Sequence, residues 1–451
     1  MRTKSATSPR LYQENTIWIL ICFIVLCSFF LPVNAAQPTW KYTLSPDVTY
    51  EGNLNIVKIS DDGQYLAVYV ADQNTLLYFS QSGTLLWSEE FVADHRPWIS
   101  SVSIAHDNSI VAVSELVPGC CEGSISNTTS NRIILFGRNG SELWNYTTLR
   151  APLAVAISPD SSRIYAGTDD RQVICLDRNG TVQWRRNTDA PVYSLAVSGD
   201  SSTIAAAGTN PGKTSWGTVI YPEDLFLFDQ DGSPLWKFQT GGPNTVAISS
   251  DGSKIAVVGG KYGNLYLFNK TGNIVNEHSF RETGSSLAMS KDAGLVVVGS
   301  LEGSLYGLNT SGKVAWNIRT PRLSRNVAVA GDGNSVAFGN GRSIMISRQN
   351  GSVVLDYPTG TWISSVTMSD DGHAVGAISD AIYFFNSTGN SFIPDMPGPQ
   401  EKKPLLPEPN TSGSLDKPAS TQSAPLPVSL VFSLVLLIIA LVILKKKKDG
   451  Q

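Results

Sequence analysis

Two adjacent cysteines, Cys120 and Cys121, are the residues best placed by spacing alone to do chemistry. Neighbouring thiols can close a loop disulfide or remain free, and they stand in a turn-rich stretch, ELVPGCCEGSISNTTSN, at residues 115–131. The other cysteines build no disulfide framework: Cys22 and Cys27 fall in an apolar N-terminal run, and Cys175 lies in a β-rich run as a small buried hydrophobe. The four histidines, His95, His106, His278 and His373, lack metal-ligand spacing, so no metal site is expected. With no Gly-rich phosphate loop or nucleophile elbow, no catalytic residue is assigned.

The elements that must position these groups come from a repeat. Turn glycines recur at Gly83, Gly140, Gly180, Gly232, Gly272, Gly312, Gly351 and Gly389, with a base spacing close to 40 residues. A second marker, an aspartate in a Ser-x-Asp-like turn, recurs upstream as Asp62, Asp107, Asp160, Asp200, Asp251, Asp292, Asp332 and Asp371. Both markers count eight. The unit at 155–188, VAISPDSSRIYAGTDDRQVICLDRNGTVQWRRNT, holds four short β-rich runs, of which the second and third read as alternating. Each unit is therefore one four-stranded antiparallel blade, and the fold class is an all-β, eight-bladed β-propeller.

The fourth run carries a Trp four residues past the turn glycine, as Trp87, Trp144, Trp184, Trp236 and Trp316, replaced by Asn276, Leu355 and Ile393 in the other units. Once per blade, such a residue packs between neighbours rather than stacking a ligand. The aspartates are expected to hydrogen-bond their own turns. Thr39 to Leu44 (TWKYTL) matches the fourth runs at 143–148 and 235–240, so it is expected to supply the last blade's outer strand and close the ring.

On this frame the second-to-third and blade-to-blade connections share one face. Both long insertions, 115–131 and 209–224, fall there, with Arg96, Trp98, Arg150, Tyr193, Arg281, Arg322, Arg325 and Trp362, against Asp94, Asp189 and Glu282. A basic, aromatic mouth of this kind suits an anionic or sugar-bearing ligand.

The ends predict topology. Residues 1–35 read as a signal peptide, with the apolar run 17–31 and a small-x-small site at Val33-Asn34-Ala35. The propeller is expected over 36–391, a Pro/Ser-rich stalk over 392–427, a transmembrane helix over 428–444 and a cytoplasmic basic tail over 445–451. This arrangement makes the chain a single-pass membrane protein with an extracellular N-terminal domain. The formal net charge is −4; residues 1–35 contribute +2 and residues 445–451 contribute +3, leaving −9 between them. Nucleic acid is therefore not an expected partner. Nine Asn-x-Ser/Thr sequons, at Asn127, Asn139, Asn145, Asn179, Asn269, Asn309, Asn350, Asn386 and Asn410, are compatible with a glycoprotein.

The stretch GSLYGLNTSGKVAW at 303–316 resembles the repeat of PQQ-like, quinoprotein-type propellers, and the Ser-x-Asp-Gly turns resemble WD40-like repeats. The resemblance covers about residues 39–391, and the tail is similar to those of archaeal surface proteins. In quinoprotein alcohol dehydrogenases a bond between adjacent cysteines lies over the cofactor, so the resemblance implies one reading as a PQQ- and calcium-dependent oxidoreductase. The chain departs from that pattern: it shows no calcium-ligand constellation or catalytic aspartate, and its Trp motifs lack the trailing glycine. The resemblance to the outer-membrane assembly propeller implies the other reading, a scaffold needing no cofactor. Polysaccharide hydrolysis is a third class, but the Gly-to-Trp spacing differs by one from the Asp-box of sialidases. The leading expectation is a non-enzymatic binding or scaffolding module for an envelope protein or a glycan ligand.

Overall fold

The computed structural model describes residues 37–44, 55–91, 98–116, 131–208, 212–214, 217–219, 224–241, 245–259, 263–282, 284–320 and 323–387. Eight four-stranded antiparallel sheets make up this region. Blades 1 to 7 span 56–90, 98–147, 152–187, 192–238, 245–279, 284–319 and 323–358. Blade 8 spans 365–386 and takes its outer strand, Trp40–Thr43, from the start of the chain. That strand pairs antiparallel with Ala381–Asn386, Trp40 opposite Phe384 and Thr43 opposite Ala381, so the ring closes as the sequence predicts.

Eight apolar clusters each join two successive blades, the last combining Val57, Leu66 and Phe79 of blade 1 with Ile378, Ile382 and Phe384 of blade 8. This corrects one expectation. The second and third strands do not alternate in burial: Ile133 to Phe136 of blade 2 are all buried, as are Leu295 to Ser300 of blade 6. Each middle strand is covered by a neighbouring blade on both faces, so both sets of side chains are core. Each fully buried Leu, Ile, Val or Phe contributes roughly 1.5–3 kcal/mol.

The outer joints use one device repeatedly. Glycines 83, 140, 180, 232, 272, 312 and 351 hold φ between +74° and +83°, the left-handed region that the tight turn requires. The tryptophan of the preceding blade lies against that turn. A Cβ on Gly232 would stand 2.6 Å from Trp184, and one on Gly140 would stand 2.6 Å from Trp87. The indole N–H then donates to the carbonyl two residues before the glycine, as from Trp144 to Arg178 at 2.9 Å and from Trp184 to Gln230 at 3.0 Å. Trp40 does the same for blade 1, donating to Gln81 at 3.0 Å. The repeated tryptophan is thus a blade-to-blade anchor, as expected. At the joint of blades 5 and 6 Asn276 replaces it, and its Oδ1 is buried without a partner.

Nearer the axis, hydroxyls of one innermost strand accept hydrogen bonds from backbone amides of the next. Val57 donates to Ser365, Val155 to Ser101 and Val246 to Ser194. Among the described residues no helix is long and apolar enough to cross a membrane; the expected span at 428–444 lies outside them, as does the expected signal segment.

Candidate functional site

Strand order places the second-to-third and blade-to-blade connections on one face, called here the loop face, and the two tight turns of each blade on the other, the turn face. The insertions at 115–131 and 209–224 both leave second strands, in blades 2 and 4, so they share the loop face. The second contains a short hairpin of Gly212–Thr214 and Gly217–Val219. Cys120, Cys121, Arg96 and Arg322 lie outside the described residues, and of Arg325 only the backbone, in the innermost strand of blade 7, is among them.

The remaining predicted residues are spread around the loop face. Trp98 opens blade 2 and is 54% exposed, Tyr193 in blade 4 is 48% exposed, and Trp362 before blade 8 is 42% exposed. Arg150 precedes blade 3, and Arg281 stands between blades 5 and 6 with φ +57°. Leu149 and Leu301, exposed on connections of the same face, add apolar surface. Sequence reasoning missed Arg342: its guanidinium stands 5.9 Å from the centre of the Trp362 ring, a cation–π arrangement. The Asn340-Gly341 turn that presents it was a readable signal.

Carboxylates of this face brace loops. Glu115, almost fully buried at the stem of the blade 2 insertion, accepts from Arg132 Nε at 2.6 Å. Asp224, at the stem of the blade 4 insertion, accepts from the Thr240 amide and hydroxyl and from the Gly241 amide at 2.7–2.9 Å. Glu282 accepts from Ser300 and Ser304; burial pushes its carboxyl up, but these bonds and Arg319 outweigh it and hold it below the usual range. A groove of about 350 Å³ at the outer joint of blades 3 and 4 has a floor of Phe226, Phe228, Leu235 and Trp236, edged by Arg186 and Lys237.

The turn face is built from the Ser-x-Asp motif. In blade 5 the Ser249 hydroxyl donates to Asp251 at 2.7 Å and accepts the Lys254 amide, while Asp251 accepts the Ser253 amide. Those bonds hold the Asp251 carboxyl down at about 2. Burial pushes Asp107, Asp160 and Asp200 upward, but the same hydroxyl and amide bonds outweigh it and leave them below the usual range. The aspartates serve their turns, as expected.

The middle residues of these motifs form a network that the sequence did not disclose. Backbone amides link successive blades: Asp370 to Asp61 at 2.9 Å, Gly331 to Asp370 at 2.7 Å, Lys291 to Gly331 at 2.8 Å, Ser250 to Lys291 at 2.7 Å and Asp200 to Ser250 at 3.0 Å. Their side chains converge. His106 Nδ1 lies 2.6 Å from Asp61 Oδ2, and Lys291 of blade 6 reaches both Asp370 of blade 8 and Asp61 of blade 1. A side chain spans blades 6 to 1 only close to the axis, so the cluster sits where the turns meet. Asp61, His106 and Asp370 bring ligand atoms within 4.8 Å of one another. The Lys291 ammonium stands among them and pairs with both carboxylates. Burial raises the Asp370 carboxyl against the pull of Lys291, and Asp370 in turn keeps the Lys291 ammonium raised despite its own burial.

Eight four-stranded blades with glycine–tryptophan joints define a β-propeller of PQQ-like repeats. The chain belongs to the family described as outer membrane protein assembly factor BamB, whose model matches residues 72–221, 129–280 and 222–389. No curated protein matches the chain at the sequence level. Among solved structures, the C-terminal WD40 domain of Sif2 is similar at 12% identity and a TM-score of 0.60, covering 78% of this chain and 98% of that one. BamB from Moraxella catarrhalis is similar at 16% identity and a TM-score of 0.53, covering 78% and 99%. At these identities the structural likeness is one of fold.

Proposed function

We propose that this chain is a membrane-anchored extracellular propeller that binds or scaffolds an envelope protein through its loop face. One observation carries the reading: Trp98, Tyr193 and Trp362 are exposed on the face that also bears both insertions. Large aromatics and arginines are the side chains that most often dominate protein interfaces, and a rigid ring of blades holds such residues at low entropic cost. The loop-face carboxylates named above are occupied in bracing loops, which suits recognition better than acid–base chemistry. A family named for an assembly factor supports the scaffold class. The apolar runs at 17–31 and 428–444, the second followed by Lys445 to Lys448, support an anchor with the propeller outside.

Capture of partners from native envelope by the full chain, compared with Trp98→Ala/Tyr193→Ala/Trp362→Ala, tests this. The triple variant is expected to lose the captured protein while keeping its circular dichroism spectrum. Undiminished capture refutes the loop-face assignment.

A further inference from the structure

We propose that the turn face is a glycan-bearing face, with N-linked sugars at Asn139, Asn179, Asn269, Asn309 and Asn350; this rests on the extracellular placement proposed above. All five lie in third-to-fourth-strand turns, and Asn386 of blade 8 stands at the corresponding point, so six of the nine sequons fall on one face. Asn145 is on an outer strand, Asn127 is in the blade 2 insertion, and Asn410 lies beyond the propeller.

The six asparagines occupy two registers of the turn. Counting from the last residue of the third strand, Asn269, Asn309 and Asn386 occupy the first turn position, and Asn139, Asn179 and Asn350 occupy the third. Aspartate serves both positions. Asp177 accepts the Asn179 and Thr181 amides at 2.8 and 2.9 Å, just as Asn269 accepts those of Thr271 and Asn273 at 3.1 and 2.9 Å. Asp229 and Asp231 fill the first and third positions in blade 4. Nor does the turn demand a hydroxyl in its fifth position, where Asn273 and Lys313 are accepted. Yet each of the six asparagines has Ser or Thr two residues on, in whichever register it sits: Ser141, Thr181, Thr271, Ser311, Ser352 and Thr388. The turn-face aspartates take the same hydroxyl two residues on, Asp107 from Ser109 and Asp160 from Ser162, so what sets these six positions apart is asparagine in place of aspartate.

The geometry leaves the reacting atom available. Asn139, Asn309 and Asn350 each accept the following hydroxyl at 2.7 Å through Oδ1, and no hydrogen bond from Nδ2 is present among the described residues. These three and Asn179 are exposed, and Asn269 is half-buried. In the transfer, Nδ2 bonds to the anomeric carbon of a lipid-linked oligosaccharide, the bond from that carbon to the lipid phosphate breaks, and the amide gives up one proton as the lipid phosphate leaves. Sugars on this face leave the opposite, aromatic face as the one offered to a partner.

The test uses the full chain isolated from its own membranes. Glycopeptide mass spectrometry is expected to find sugar on the five asparagines. Ser141→Ala, Thr181→Ala, Thr271→Ala, Ser311→Ala and Ser352→Ala, which remove each sequon but keep each turn asparagine, are each expected to increase gel mobility by one step. Recovery of the five asparagines unmodified, or sugar confined to Asn127, Asn145 or Asn410, overturns the proposal. Labelling of Lys270 and Lys313 by an impermeant amine reagent on intact cells separates the two failures: labelled lysines with bare asparagines leave the extracellular placement standing and remove the glycan face alone.

Discussion

The glycine–tryptophan joint makes a prediction that a double-mutant cycle can refute. Take Trp184, 7% exposed, and Gly232, whose φ is +78°. Trp184→Ala removes a large buried aromatic and the indole bond to Gln230, and is expected to cost about 3–5 kcal/mol. Gly232→Ala forces an L-residue into the left-handed region, at roughly 1–2 kcal/mol. It also sets a Cβ 2.6 Å from the Trp184 ring, which adds about 1–3 kcal/mol of overpacking. In the double variant the ring is gone, so the overpacking vanishes while the backbone strain stays. The double variant is therefore expected to lose about 1–3 kcal/mol less than the sum of the two singles, read from urea unfolding followed by circular dichroism. Losses that add to within about 0.5 kcal/mol would show that turn and ring do not touch, and the joint would not be an anchor. Trp184→Phe, which keeps most of the ring but not the N–H, is expected to cost about 1–2 kcal/mol.

Asn276→Leu removes the unpartnered buried amide oxygen at the joint of blades 5 and 6 and is expected to raise stability by about 1 kcal/mol, seen as a higher thermal midpoint; a lower midpoint contradicts the reading. The turn aspartates have depressed carboxyl pKa values, Asp251 at about 2, so the stability they supply is fully present above the unfolded value of about 4 and is lost as pH falls through the folded values. Acid titration followed by circular dichroism should therefore show the fold intact at about pH 5, with loss concentrated below about pH 4; removal of these turn hydroxyls, as in Ser249→Ala, should move that loss to higher pH. Lys291→Met leaves Asp61 and Asp370 facing each other without the ammonium between them and is expected to lower stability at pH 7 by about 1 kcal/mol, these groups being partly exposed. Because burial already raises the Asp370 carboxyl, the deficit should narrow as that group protonates, and a thermal midpoint difference unchanged between pH 7 and pH 4 would contradict the arrangement.

Blade count, antiparallel order, ring closure and the anchoring tryptophans were legible because each is a local signal repeated at a fixed interval, so one weak marker was confirmed several times over. Trp40 could be placed in blade 8 because TWKYT copies the fourth strand of its neighbours. The axial ion-pair cluster was not legible for the opposite reason. Its members, Asp61, His106, Lys291 and Asp370, occupy the middle position of the Ser-x-Asp motif, whose residue changes from blade to blade, and only closure of the ring brings together residues more than 300 positions apart. The double-sided burial of the middle strands was hidden too, since alternation in a single strand cannot report a second sheet lying against its other face. On the loop face the sequence supplied the aromatic residues and the connections that carry them, but not the approach of Arg342 to the Trp362 ring.

Closure by Trp40–Thr43 has a mechanical corollary. The Thr39 hydroxyl accepts the Asn386 amide at 2.8 Å, so the chain enters and leaves the ring at one corner of blade 8. Whatever is fused or tethered at either end hangs from that corner, and the other seven blades carry no covalent load. Tension drawn through both ends at once would fall on the four-pair ladder between Trp40–Thr43 and Ala381–Phe384 before any other blade felt it. Joining residue 387 to residue 39 by a short linker and opening the chain at another turn should move that point of suspension around the ring and leave the blades as they are.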